Sequence, residues 1–398
     1  MSAVFLAVGE RSAISTSASN ISGVMGGSVL NTTADAAAVD VQTAGTLSNL
    51  TINVSAKSGT ITHSIRSRVN GAFGNQILTV SSAVGITEDA SNTDAIAAGN
   101  EFNIRVTRLA SSGQLTYESM AFLFTPTSLL LTPGFIGSGA AVVLNGTADL
   151  FYSLANLATG TATEDDTEQT FATSGTLQNA FAVAATNSRS DSTSLGTRIN
   201  NNPGNAVLTW AAAATGEKTD VVNTDAIANG DEACWMWNQN GGSGNFSLSA
   251  FCIEFSATNA WQLFANSAVA RSANTSTYVP IAGRLSLTGT VGTMHIKTMI
   301  PFTWSNLYTY CSAFTLNSGG ITTKSDIDGS PGNLTTIHTA TGQQSDVTNT
   351  DVVADDALIA FNVATGGTSG SATLRSLSSL GSVEAWRAPY RLPLLGVG

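Results

Sequence analysis

One motif occurs three times in this chain. Gly85-x3-Asp89-x2-Asn92-Thr93-Asp94 returns as Gly216-x3-Asp220-x2-Asn223-Thr224-Asp225 and again as Gly342-x3-Asp346-x2-Asn349-Thr350-Asp351, with no gap inside any copy. A Gly-Asn pair precedes each by ten to twelve residues, at Gly74-Asn75, Gly204-Asn205 and Gly332-Asn333. An asparagine lies 25 or 26 residues earlier still, at Asn49, Asn179 and Asn306, and an aromatic opens each copy at Phe5, Phe135 and Trp261. Collinear anchors at a period of about 130 residues mean one unit triplicated. Solenoid and propeller units run to roughly 50 residues and cannot bury a core alone, whereas a unit of about 130 can. The boundaries predicted are 1–127, 128–257 and 258–385, followed by a C-terminal arm at 386–398.

Within a copy the apolar period is two. Leu50-Thr51-Ile52-Asn53-Val54 and Phe102-Asn103-Ile104-Arg105-Val106 alternate, as do Phe246 to Phe251 and Ile253-Glu254-Phe255. These are half-buried antiparallel strands. The spacers Asn70-Gly71, Asn200 to Gly204 and Asp328 to Gly332 supply the positive φ of tight turns. Thr87 to Ala98 is the one segment expected to include a helical turn. About eight short strands per copy predict an all-β chain of three tandem antiparallel sandwiches, of jelly-roll type.

Composition narrows the function. Charged residues are only 11% of the chain, against roughly 25% in ordinary soluble domains. With 42% hydrophobic content and regular strands, this is a hydroxyl- and amide-covered β-protein of the extracellular or virion kind, not a disordered chain. A net charge of -11 with scattered arginines excludes a nucleic-acid partner. Cys234 and Cys252 flank a Gly-rich turn and could face each other across a hairpin, but free thiols are the favoured reading. Met1 to Arg11 lacks a basic n-region, and Ser128 to Leu144 is too broken by Pro133 and three glycines to span a membrane.

The Asp-x2-Asn-Thr-Asp loop, a Gly turn and a long strand hairpin together resemble the jelly-roll domains of the tumour-necrosis-factor and complement-globular-head type. They also resemble repeats of phage virion proteins. The turn reads Ala98-Gly99-Asn100-Glu101, Asn229-Gly230-Asp231-Glu232 and, with Asp356 in place of Gly, Asp355-Asp356-Ala357, so the third turn is expected to differ in shape. The resemblance implies a fold and a threefold habit, and no chemistry. Three such domains on one chain either form an intramolecular pseudo-trimer or sit as beads that trimerise between chains. The short links favour the first.

Chemistry is sparse. His63, His295 and His338 occupy unrelated positions in their copies and none lies in a nucleophile elbow, so no enzyme and no cofactor are expected. Calcium is the candidate metal, with Asp89, Asn92, Asp94, Asp220, Asn223, Asp225, Asp346, Asn349 and Asp351 as oxygen donors. The competing and preferred reading is an Asx-turn loop satisfying its own backbone. Trp235 and Trp237 share a face that reads as core. Trp304, Tyr308 and Tyr310 in the third copy, with Trp386 and Tyr390 in the arm, are the candidate contact residues. The function expected is a capsid decoration (cement) protein of a phage virion, made in the host cytoplasm, binding capsid proteins. The alternative is a trimeric tail fibre, spike or receptor-binding protein that recognises carbohydrate. Neither reading involves a membrane, and both allow self-association.

Overall fold

The computed structural model of the chain describes residues 4–14, 19–22, 38–59, 62–81, 84–110, 113–127, 132–138, 142–144, 148–154, 156–281, 283–284 and 295–383. The first copy supplies β1 (Val4–Ile14), β2 (Ser19–Ser22), β3 (Val39–Val41), β4 (Gly45–Gly59), β5 (Thr62–Val69), β6 (Ala72–Val80), β7 (Gly85–Ile96), β8 (Asn100–Ala110) and β9 (Gly113–Pro126). The second supplies β10 (Thr132–Ser138), β11 (Val142–Leu144), β12 (Leu150–Ser153), β13 (Asn156–Thr161), β14 (Gln169–Thr170), β15 (Gly175–Asn187), β16 (Thr193–Ile199), β17 (Asn202–Trp210), β18 (Gly216–Asp220), β19 (Asp225–Ile227), β20 (Glu232–Asn238) and β21 (Phe246–Ala257). The third supplies β22 (Ala260–Ser272), β23 (Ser276–Val279), β24 (Gly283–Arg284), β25 (Ile296–Lys297), β26 (Phe302–Phe314), β27 (Ile321–Ile327), β28 (Ser330–His338), β29 (Gly342–Val353), β30 (Leu358–Thr365) and β31 (Ser371–Ser382).

The chain is an all-β assembly of antiparallel sheets, and one pairing order is used three times. A first sheet runs β1-β9-β4-β7 in copy one, β10-β21-β15-β18 in copy two and β22-β31-β26-β29 in copy three. A second runs β2-β8-β5-β6, β12-β20-β16-β17 and β23-β30-β27-β28. In copy one β4 buries Leu50, Ile52 and Val54 against Ile65, Leu78, Phe102, Ile104 and Val106 of the second sheet. Trp235 and Trp237 do the same work in copy two and are fully buried, as their alternation predicts. Each such side chain contributes about 1.5–3 kcal/mol on leaving water.

Two strands of a copy, one from each sheet, differ in exposure, and the difference locates the contacts. β6 alternates cleanly, with Gln76, Leu78 and Val80 inside and Ile77 and Thr79 outside, as expected of a sheet with one wet face. β4 buries both faces, including Thr51 and Asn53 on the outward one. Something covers that outward face. It is another copy of the repeat.

Three features depart from the sequence expectations. Thr87 to Ala98 contains no helical turn, because β7 runs extended through the motif; among the described residues the only helical element is a 3-10 turn at Glu164–Asp166. Asp356 adopts φ 63°, the left-handed conformation that Gly99 (78°) and Gly230 (90°) adopt, so the third turn keeps the shape of the others. Cys234 and Cys252 lie on β20 and β21, which belong to different sheets rather than facing each other across one hairpin; all three cysteines are free and buried, which agrees with the favoured reading of free thiols.

Candidate functional site

The repeated motif serves the backbone. Asp89 Oδ2 accepts the Ile77 N–H at 2.7 Å while Oδ1 accepts from the N–H groups of Ser91 and Asn92 at 3.3 and 3.2 Å. Asn92 Nδ2 donates to both oxygens of Asp89. Asp220 and Asp346 repeat the arrangement with Val207 and Thr335. Asp94 accepts the Asn75 N–H at 2.6 Å and the Ser67 hydroxyl at 2.5 Å; Asp225 and Asp351 do so with Asn205 and Thr197, and with Asn333 and Ser325. In copy one the motif therefore pins β7 to β5 and β6, and the other copies repeat this with their own strands. A Cβ on Gly74 would stand 2.3 Å from Ser67 Oγ and 2.5 Å from Asp94 Oδ1, which explains the Gly-Asn anchor; Gly204 and Gly332 are confined alike.

This chemistry argues against calcium at the nine candidate residues. The carboxylates face donors, including the amide nitrogens of Asn92, Asn223 and Asn349, where a cation needs oxygens. Burial pushes Asp89, Asp220 and Asp346 upward in pKa, but the converging donors outweigh it and hold all three below the usual range. Among the described residues no group of three acidic, His or Cys side chains is placed to hold a metal ion. A calcium site at a hundred times its Kd would add about 2.7 kcal/mol. The expected result is an unchanged melting temperature on adding calcium chloride or EDTA, read by scanning calorimetry.

Of the candidate contact residues, Trp304 is fully buried, packed 4.6 Å from Phe361 with Nε1 donating to Ser379 Oγ at 2.9 Å. It is core, and offers no stacking platform. Tyr308 packs against Ala172, Ala260 and Leu380, and Tyr310 lines a cavity; both lie where copy three meets copy two. Trp386 and Tyr390 lie outside the described residues.

One set of contacts between copies runs in one direction. The short strand before β4, β15 or β26 rests on the first sheet of another copy: β3 on β15 and β21, β14 on β31, β25 on β9. So copy one rests on two, two on three, and three on one. At the first seam Glu254 accepts the N–H groups of Gln42 and Thr43 at 3.1 and 3.0 Å and is held by Asn179. At the second, the Gln262 amide, oriented to satisfy both its ends, accepts the N–H groups of Ala172 and Thr173 at 2.8 and 3.2 Å. Asn306 donates to the Ala172 carbonyl at 3.0 Å, and Phe171 meets Phe264 edge-on at 5.0 Å. At the third, Asn53 Nδ2 and Ser119 Oγ donate to the His295 carbonyl at 3.1 and 3.2 Å. Here the first sheets of copies one and three also join, because β24 pairs in parallel with both β1 and β22.

The opening aromatics are the one anchor that is not equivalent in register. Phe5 and Phe135 pair with Leu123 and Glu254, whereas the matching place opposite Leu380 in copy three is Gln262, one step beyond Trp261. Gln262 thereby does at the second seam what Glu254 does at the first. Compared with protein-family models and with curated proteins, the chain matches no family model and no curated protein.

Proposed function

We propose that the three repeats are jelly rolls closed into an intramolecular pseudo-trimer, and that the protein is a phage virion component that decorates and cements the capsid. The observation that carries this reading is the direction of the seams. Each copy rests on another within the same chain, so the threefold arrangement is completed without a second molecule. Buried polar acceptors such as Glu254 at those seams lose their donors Gln42 and Thr43 if the copies separate. Beads that trimerise between chains, as in a fibre or spike, would leave such faces for neighbouring molecules. A compact threefold body suits a threefold or quasi-threefold position on a shell, where it bridges capsomers and raises the barrier to rupture. A carbohydrate-binding role loses its best aromatic with the burial of Trp304. No catalytic role is proposed.

Solution mass by light scattering, with small-angle scattering on the same sample, tests the arrangement. The expected particle is compact and close to the chain mass of 40.7 kDa. An elongated species of three chains would replace decoration with the fibre reading. Binding to undecorated heads, with a rise in their rupture temperature, tests the role itself. Heads that neither retain the protein nor gain stability would remove it.

A further inference from the structure

The second seam contains a polar cavity of ≈ 210 Å³, well above the roughly 10–15 Å³ that one water needs. Copy two lines it with Asp165, Glu168, Thr170 and Glu232, and copy three with Tyr310, Gln343 and Ser376. Gln343 Nε2 crosses the seam to Glu232 Oε1 at 2.7 Å and to Thr170 Oγ1 at 2.5 Å. Glu168 is only 5% exposed, and its Oε1 receives no hydrogen bond. The nearby arginines are engaged elsewhere: Arg198 pairs with Glu164 at 2.6 Å and Arg375 with Asp166 at 3.3 Å. Among the described residues no ion pair reaches Asp165, Glu168 or Glu232. Glu168 is kept protonated by burial and by its hydrogen bond to Glu232; once ionised it stands buried without a cation, which is costly.

The repeat itself says which partner. Thr170 pairs with Glu232 where Lys297 pairs with Leu358, and each stands nine residues before the Asn anchor of its copy. Tyr310, paired with Gln343 and Ser376, likewise corresponds to Asn53, paired with Ile86 and Ser119. The third seam therefore has a space at the corresponding place, and there an ammonium group fills it. The Lys297 ammonium pairs with Glu88 across the seam and with Asp356 at 2.8 Å. At the second seam threonine stands in the place of the lysine, Ser345 in that of Glu88 and Gly230 in that of Asp356; the carboxylates there come from other positions, Glu232 standing where the third seam has Leu358, and the space is open.

We infer that the second seam binds a primary ammonium group supplied from outside the chain, the tip of a partner's lysine or a free polyamine, which bridges copies two and three as Lys297 bridges three and one. The seat is too wide for a bare metal ion, and its carboxylates do not converge as metal ligands do. The inference does not depend on capsid attachment, since it concerns a contact inside the threefold body.

Calorimetric titration of the full chain at pH 8 with n-butylamine, putrescine and calcium chloride tests it. Saturable one-to-one amine binding is expected, weakened at least tenfold by Glu168→Gln. Equal affinity for the two amines identifies a lysine tip as the natural occupant, and a tenfold or greater preference for putrescine identifies a free polyamine. Thr170→Lys, which puts the third seam's lysine at the corresponding place beside Glu168 and Glu232, should raise the melting temperature and abolish amine binding. Amine binding that Glu168→Gln leaves unchanged, no amine binding, calcium binding in its place, or a Thr170→Lys protein that melts below the parent would each overturn the inference. Because Thr170→Lys is read by its own melting temperature and amine binding, the outcome stands even if Glu168→Gln fails to fold.

Discussion

Replacing Asp351 by alanine should destabilise the protein by about 3–5 kcal/mol, the largest effect expected of any single change in the repeated motif. Asp351 is 3% exposed and accepts from Ser325 Oγ at 2.5 Å, Asn333 N–H at 2.7 Å, Asn333 Nδ2 at 3.0 Å and the buried Leu334 N–H at 3.3 Å. Alanine leaves those donors in a space too small and too enclosed for water to replace the carboxylate well. Asp351→Asn should do nearly as badly, since it turns an amide donor toward N–H donors. Exposed Lys324 on β27 is the control, and Lys324→Ala should stay within about 0.5 kcal/mol. Denaturant midpoints at constant slope measure all three. An Asp351→Ala midpoint equal to that of Lys324→Ala would mean the motif is not what joins β29 to β27 and β28.

That prediction rests on residues that the sequence picks out unaided. The spacing of Asp, Asn and Gly recurs because each residue meets a backbone requirement, and backbone requirements survive triplication. Asn49, Asn179 and Asn306 show the same logic: each sits at φ between 52° and 55° where β4, β15 and β26 shift register. Asparagine tolerates that conformation better than most residues. Strand periodicity likewise shows that Trp235 and Trp237 point inward.

The seams are another matter. Glu254 alternates with Ile253 and Phe255 and so reads as solvent-facing, yet it is fully buried because copy one lies over it. Alternation says which face a residue takes and nothing about what covers that face. Asp40, Thr170 and Lys297 stand at one offset from the Asn anchor, so the change of charge in that column is legible once the three copies are aligned on their asparagines. What the alignment does not carry is the seam itself, which gives that column its meaning. Trp304 misleads for the opposite reason: an aromatic found in one copy only looks like a specific contact, but here it fills core volume against Phe361.

The second large effect is on acidity, and it distinguishes the seam from the motif. Glu168 is pushed up to about 7, first by burial, then by the charges of Glu232, Glu164 and Asp165 and by a hydrogen bond to Glu232; Glu232 and Asp165 share its cavity wall. Arg198 and Cys234 also face it, and Tyr310 closes the side from copy three. A carboxyl raised in the folded state holds its proton where the unfolded chain has released it. Its contribution is therefore complete below about 4.5 and is lost as pH rises through about 7. The difference is on the order of 3 kcal/mol, or about 4 °C for a chain of this size. Asp89, Asp220 and Asp346 act in the opposite sense, because their lowered values make stability fall as pH drops through the acid range. Burial holds His338 at about 4, so its charging on acidification opposes Glu168 between about pH 4.5 and 6.5. The readout is therefore the difference between the parent and Glu168→Gln, which stays neutral: the melting temperature of the variant relative to the parent should rise from pH 5 to pH 8. A difference that does not change with pH would show that the ionised Glu168 is already compensated. An added alkylammonium should lift the parent at pH 8 and leave the variant where it was, tying the titration of this one carboxyl to the cation missing from the second seam.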